Sequence, residues 1–118
     1  MSDLLIKIDP VNLPEPKFAT PMAERLISGS PEFTTWAFDE GKEGHVKTGI
    51  WQATPGETHS IKGEIYEFCH ILEGVVEITE QGQPPVTYAQ GDSFVMKPGF
   101  VGVWKTIQTV RKIYVVLE

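Results

Sequence analysis

The sequence has a single cysteine, Cys69. One cysteine forms no internal disulfide and no zinc–thiolate cluster, and it suits a reducing compartment. Runs of lysine and arginine are missing as well. Ten basic residues stand against 16 acidic ones, the formal net charge is -6, and the pI is near 5.0. A nucleic-acid-binding footprint is therefore absent, and the modest acidity mainly favours solubility. No apolar run approaches membrane-spanning length. The segment Met1 to Lys17 lacks the apolar stretch and cleavage site of a secretory signal. Together these absences predict a cytoplasmic protein with no nucleic-acid and no membrane partner. Heptads, βαβ units and internal repeats are also lacking, which excludes coiled coils, doubly wound sheets and solenoids.

What the chain does have is punctuation. Nine prolines and 11 glycines interrupt 118 residues, which favours short strands and tight turns over long helices. Residues 1–21 hold Pro10, Pro14, Pro16 and Pro21 and predict an extended arm with one short strand at Leu4–Ile8. Such an arm either lies along a partner subunit or frays. Residues 22–28 suit one helical turn, stopped by Ser28-Gly29-Ser30-Pro31. From there the text is strand and turn. Strands are predicted at Phe33–Asp39, Val46–Thr54, Ile65–Leu72, Val75–Glu80, Val86–Ala89, Ser93–Met96, Val101–Ile107 and Arg111–Leu117. Short strands at this spacing imply an all-β sandwich or barrel. The expected organisation is an arm over residues 1–30 and one barrel over residues 31–118. Gly74 and Gly91 are predicted where strands reverse, because positive φ is tolerated best by glycine. Asp92 is placed to accept backbone amides of its own turn.

Two segments carry a family resemblance. In Glu67-Phe68-Cys69-His70-Ile71-Leu72-Glu73-Gly74, a glutamate precedes a glycine at the head of a strand pair. In Gly91-Asp92-Ser93-Phe94-Val95-Met96-Lys97-Pro98-Gly99, a Gly-Asp turn leads into a strand and a Pro/Gly turn. These resemble the two motifs of the cupins, small jelly-roll barrels of the RmlC-like type. Adding Gly49–Gly56, Gly99–Trp104 and Arg111–Tyr114, residues 45–116 are similar to the small cupins named after the cupin domain of (S)-ureidoglycine aminohydrolase. That likeness implies a double-stranded β-helix barrel. It also raises a metal-dependent aminohydrolase as one functional alternative and an accessory subunit of a larger enzyme as another.

The resemblance further implies a metal site of a His-x-His pair, a glutamate and a second-motif histidine, suited to manganese, iron, nickel or zinc. Carried over residue by residue, only the glutamate matches, as Glu67. The histidine pair falls on Ile61/Gly63 or Ser60/Lys62, with His59 one step outside. The second-motif histidine falls on Gly102, and a lysine at 62 would repel a cation. The expectation is therefore no tightly held metal and no other cofactor, with His59 a polar loop residue.

Strand alternation sorts the remaining candidates. If Glu67 points inward, so do Cys69 and Ile71, while Phe68 and His70 face out. Gly102 and Trp104 share the inward face. A small-molecule cavity lined by Glu67, Cys69, Trp51, Trp104 and Tyr114 would be apolar with one carboxylate. The competing reading is that these aromatics fill a narrow barrel. An inward carboxylate needs a partner. Lys112, Arg111 or the Tyr114 hydroxyl would supply a structural one, and a small polar ureido, amino or carboxylate metabolite a functional one. Outward Phe68 and Leu72, with the proline-rich arm, predict a homodimer.

Overall fold

A computed structural model describes residues 4–118; the first three residues of the expected arm lie outside these. Nine strands form one sheet. They are β1 (Pro16–Ala19), β2 (Leu26–Gly29), β3 (Phe33–Gly41), β4 (Val46–Ala53), β5 (Gly56–Ile61), β6 (Tyr66–Glu80), β7 (Val86–Ala89), β8 (Ser93–Met96) and β9 (Val101–Leu117). A short 3-10 turn at Lys42–Gly44 joins β3 to β4. Among the described residues no helix is long and apolar enough to cross a membrane.

Four neighbouring rows of this sheet bend at one level. On one side of β9, β4 pairs through Ala53↔Val110 and β5 resumes at Gly56↔Thr106. Both strands run antiparallel to β9, so they form one interrupted row. On the other side β9 pairs along the whole of β6, with register shifts at Ile71/Glu73, Glu73/Val75 and Val75/Val76. The far edge of β6 carries β8 through Cys69↔Phe94 and β7 through Val75↔Ala89. All four rows therefore break near residues 54–55, 107–109, 72–75 and 90–92. Bending there curls the sheet over itself and brings its two halves face to face, as expected for an all-β jelly-roll barrel.

Four expectations need correction. The chain does not reverse at Gly74 or Gly91. Both have positive φ, 86° and 90°, but Gly74 lies within β6 and Gly91 lies between two strands that share one edge of β6. They bend rows rather than close hairpins. A Cβ on Gly74 would lie 2.1 Å from the Thr109 carbonyl oxygen, where β6 crosses the bend of β9. The predicted strand at Leu4–Ile8 is not there. The arm pairs instead through β1 against β3. The helical turn expected over 22–28 shrinks to Met22–Leu26, where the Met22 carbonyl accepts from the Arg25 and Leu26 amides, and β2 follows. Finally, Gly56–Ile61 is a strand, not a loop. Asp92 acts as expected, accepting from the Ala89 amide at 2.8 Å.

The core lies between the two halves. Ala53, Cys69, Ile71, Val76 and Val110 are fully buried there, with Ile78, Met96 and Trp104 nearly so, and Ile50 is fully buried outside that cluster. Alternation along β6 holds from Glu67 through Ile71, with odd positions buried and Phe68 and His70 half-buried on the opposite face.

Candidate functional site

Three cross-strand neighbours set the floor of an open cavity. In the β4–β9–β6 rows, Trp51 stands opposite Lys112, and Lys112 opposite Ile71. The same β9 face then carries Tyr114, opposite Gly49 and Cys69. Gly49 is required there, since a Cβ would meet the Tyr114 hydroxyl at 2.7 Å and the Trp36 carbonyl oxygen at 2.4 Å. From the other half of the curl comes Trp104, opposite Thr58 and Ile78. Folding the halves together puts Trp104 edge-on to Trp51 at 5.4 Å between centroids. The enclosed space is about 320 Å³ and is lined by Phe33, Thr35, Trp51, Thr58, His59, Ser60, Lys62, Glu67, Met96, Trp104, Lys112, Tyr114 and Val116. The aromatics thus leave a void rather than filling the barrel.

At its base sits a lysine-clamped carboxylate. Lys112 Nζ donates to Glu67 Oε2 at 2.7 Å, and Lys62 Nζ donates to Glu67 Oε1 at 2.6 Å. The Lys112 ammonium also lies 4.5 Å from the Trp51 ring centroid and 4.4 Å from that of Trp104. Cation–π attraction to two indoles supports a buried ammonium. Burial alone would push the Glu67 carboxyl up, but Lys112 and Lys62 outweigh it and hold it down at about 2. Burial also disfavours the Lys112 ammonium, yet the Glu67 carboxylate against it raises its pKa above the ordinary 10.5. Both groups are therefore charged at neutral pH.

The partner of Glu67 among the candidates is Lys112. Arg111 points elsewhere, donating to Gln52 Oε1 at 2.7 Å and lying 4.6 Å over Trp36. Lys62, read from the sequence only as a cation repellent, is the second partner. Cys69 is not on the cavity wall. It is fully buried beneath Glu67, with Sγ 3.3 Å from Oε2. Burial pushes its thiol up to about 12, so it is a protonated side chain and no nucleophile. Tyr114 is a neutral phenol, its pKa raised by burial. Trp104 Nε1–H is satisfied by Thr106 Oγ1 at 3.0 Å. His70 faces away and hydrogen-bonds Ser93 Oγ at 2.7 Å.

His59 lies on β5 and lines the cavity, although exposed. With Thr58 and Ser60 it was missed as a wall residue because Glu57-Thr58-His59-Ser60 is polar throughout and shows no apolar alternation.

This donor set does not fit a divalent cation. Both oxygens of Glu67 already accept from ammonium groups. Among the described residues no three His, Cys, Asp or Glu side chains come together as a metal site. At the second-motif position, a Cβ on Gly102 would lie 2.3 Å from the Thr79 carbonyl oxygen, so a histidine has no room there. Glu67, ionised and doubly paired, is also unsuited to taking up or giving a proton at neutral pH. What the arrangement can do is bind: a fixed pair of cations around one anion, aromatic walls, and hydroxyls of Thr35, Thr58 and Ser60.

The comparisons agree with this architecture. A protein of unknown function of the DUF861 family from Pseudomonas syringae pv. tomato is 27% identical, with a TM-score of 0.81 over 92% of this chain. The match covers 46% of that protein, so the chain spans less than half its length. A DUF861 family protein from Thermotoga maritima is 32% identical over 55% of this chain and 73% of its own, with a TM-score of 0.52. A putative ethanolamine utilization protein Q from Salmonella typhimurium shares the fold alone, at 14% identity and a TM-score of 0.63 over 90% of this chain and 98% of its own. No curated protein matches. The EutQ-like cupin domain matches residues 40–114, from the end of β3 through Tyr114, and the chain belongs to that cupin family.

Proposed function

We propose that this cupin binds a small polar metabolite in its barrel without a metal. The observation that carries the reading is the lysine-clamped Glu67 at the base of a 320 Å³ cavity with aromatic walls. A buried ion pair contributes little net stability compared with an apolar packing of the same volume. Here it lines open space rather than sealed core, which is where charge serves recognition. Trp51, Trp104, Tyr114 and Glu67 form the wall in this reading, and Cys69 supports Glu67 from beneath. The motif likeness to the ureidoglycine aminohydrolase domain suggests ureido, amino and carboxylate compounds as the first ligands to try.

The chain also functions as a homodimer in this proposal. Phe18 on edge strand β1 is 77% exposed, and Leu4 and Leu5 in the arm are 95% and 85% exposed. A second copy covering the arm and this edge would bury them.

Thermal shifts with a panel of ureido, amino and carboxylate metabolites test the site. A ligand should raise the melting temperature of the natural protein. Thr58→Trp places an indole in the cavity opposite Trp104, and it should abolish that rise while the protein stays folded. A shift that persists in this variant would move binding elsewhere, and no shift across the panel would count against a ligand site.

A further inference from the structure

The charges lining the cavity do not cancel. Its ionisable wall consists of Lys62, Lys112, Glu67, His59 and Tyr114. Tyr114 is a neutral phenol, and the two lysine ammonium groups against the single Glu67 carboxylate leave one positive charge uncompensated. The donors show where it resides. Lys112 Nζ has three N–H groups. One meets Glu67 Oε2 at 2.7 Å, and the ammonium is flanked by the Trp51 and Trp104 rings at 4.5 and 4.4 Å. Its surroundings are complete. Lys62 gives one N–H to Glu67 Oε1 at 2.6 Å. Among the described residues no other acceptor meets its remaining two.

Lys62 follows β5 directly, and its side chain remains 16% exposed. Ser60, two residues before it, also lines the cavity, and its hydroxyl reaches only the Met96 sulfur at 4.0 Å. Spare ammonium protons and a weakly engaged hydroxyl thus line the same space. Phe33 and Trp51, 5.1 Å apart, give it a tilted aromatic wall.

We infer that the cavity selects a small organic monoanion, a carboxylate whose head rests on Lys62 and Ser60 and whose apolar body lies against Trp51 and Phe33. This deepens the ligand-site reading above and rests on it. Dianionic phosphoryl groups are disfavoured, because only one charge is left to neutralise them. Amines and guanidines are repelled by the same charge.

Matched acid–amide pairs test the inference, with benzoate against benzamide and butyrate against butyramide. Dissociation constants are read by tryptophan fluorescence in the natural protein, Lys62→Met and Lys62→Arg. Lys62→Met leaves Glu67 paired with Lys112, so the clamp keeps one salt bridge. Each acid is expected to bind at least ten-fold tighter than its amide, with the margin shrinking at high salt. In Lys62→Met the acids should fall to the level of the amides, whose own binding stays the same, and Lys62→Arg should retain the preference. Amides binding as tightly as acids, or a preference surviving in Lys62→Met, would overturn the monoanion inference and leave the ligand site standing. Failure of every acid and amide to bind would take down both.

Discussion

Glu67 is the residue on which the site turns, and its environment makes opposite demands. Burial favours the neutral acid and two ammonium groups favour the carboxylate. The ammonium groups win, because each touches its own oxygen at hydrogen-bond distance. Glu67→Gln leaves Lys112 buried beside an amide and should cost about 3–5 kcal/mol. Adding Lys112→Met should restore most of that loss, since it removes the unpaired buried ammonium. Urea unfolding of the single and double variants checks this, and an unchanged Glu67→Gln midpoint would contradict it. The pair also sets a pH dependence. The Glu67 pKa is depressed from 4.5 to about 2, so its stabilisation is complete above pH 4.5 and is lost as pH falls toward 2. The Lys112 pKa is raised from 10.5, so its contribution is complete below pH 10.5 and is lost only as pH rises through the higher folded value. Urea midpoints should fall steeply from pH 4.5 to 2 in the natural protein and less so in Glu67→Gln. The inward face of Glu67 and Trp104 was legible from the cupin motif positions combined with strand alternation. Lys62 was not, because its role depends on β5 lying against β9, a pairing that polar Glu57-Thr58-His59-Ser60 does not announce.

At the scale of elements, the bend explains both what was legible and what was not. Glycine or proline marks three of the four breaks, at Pro55, Gly74 and Gly91, while Ile107-Gln108-Thr109 holds neither, and a glycine with positive φ serves a bulge as well as a hairpin. Local sequence cannot distinguish a row that bends from one that turns back; the partner strand decides. Gly74 and Gly91 separate the two demands a bend makes. At Gly91 a Cβ would enter open space, so Gly91→Ala pays only the backbone strain of positive φ, about 1 kcal/mol. At Gly74 a Cβ would also strike the Thr109 carbonyl at 2.1 Å, so Gly74→Ala should cost roughly 3 kcal/mol or more. Equal melting temperatures for the two variants would show that the bend of β6 does not press on β9 as described. The same crowding explains why the family's second-motif histidine cannot simply be restored. Gly102→His should destabilise the protein through Thr79 without conferring zinc binding, measured by thermal melt and metal titration.

For the whole molecule, the curl of one sheet positions the cavity, and the edges left over shape the assembly. Strand β1 offers an unpaired edge with Phe18 exposed beside an apolar arm. Light scattering should therefore give twice the chain mass of 13.2 kDa, and Phe18→Glu should shift the population toward monomer. The barrel itself could be read from turn spacing and two motifs. The arm could not, since four prolines exclude a helix without saying which strand they accompany. The most direct measurement of the central claim, a cation-lined cupin cavity that takes an organic ligand in place of a metal, is native mass spectrometry. The protein would be challenged separately with manganese, zinc and benzoate. The account predicts no metal adduct and one benzoate per barrel, lost in Thr58→Trp. One retained metal ion per barrel that disappears in Glu67→Gln would contradict it.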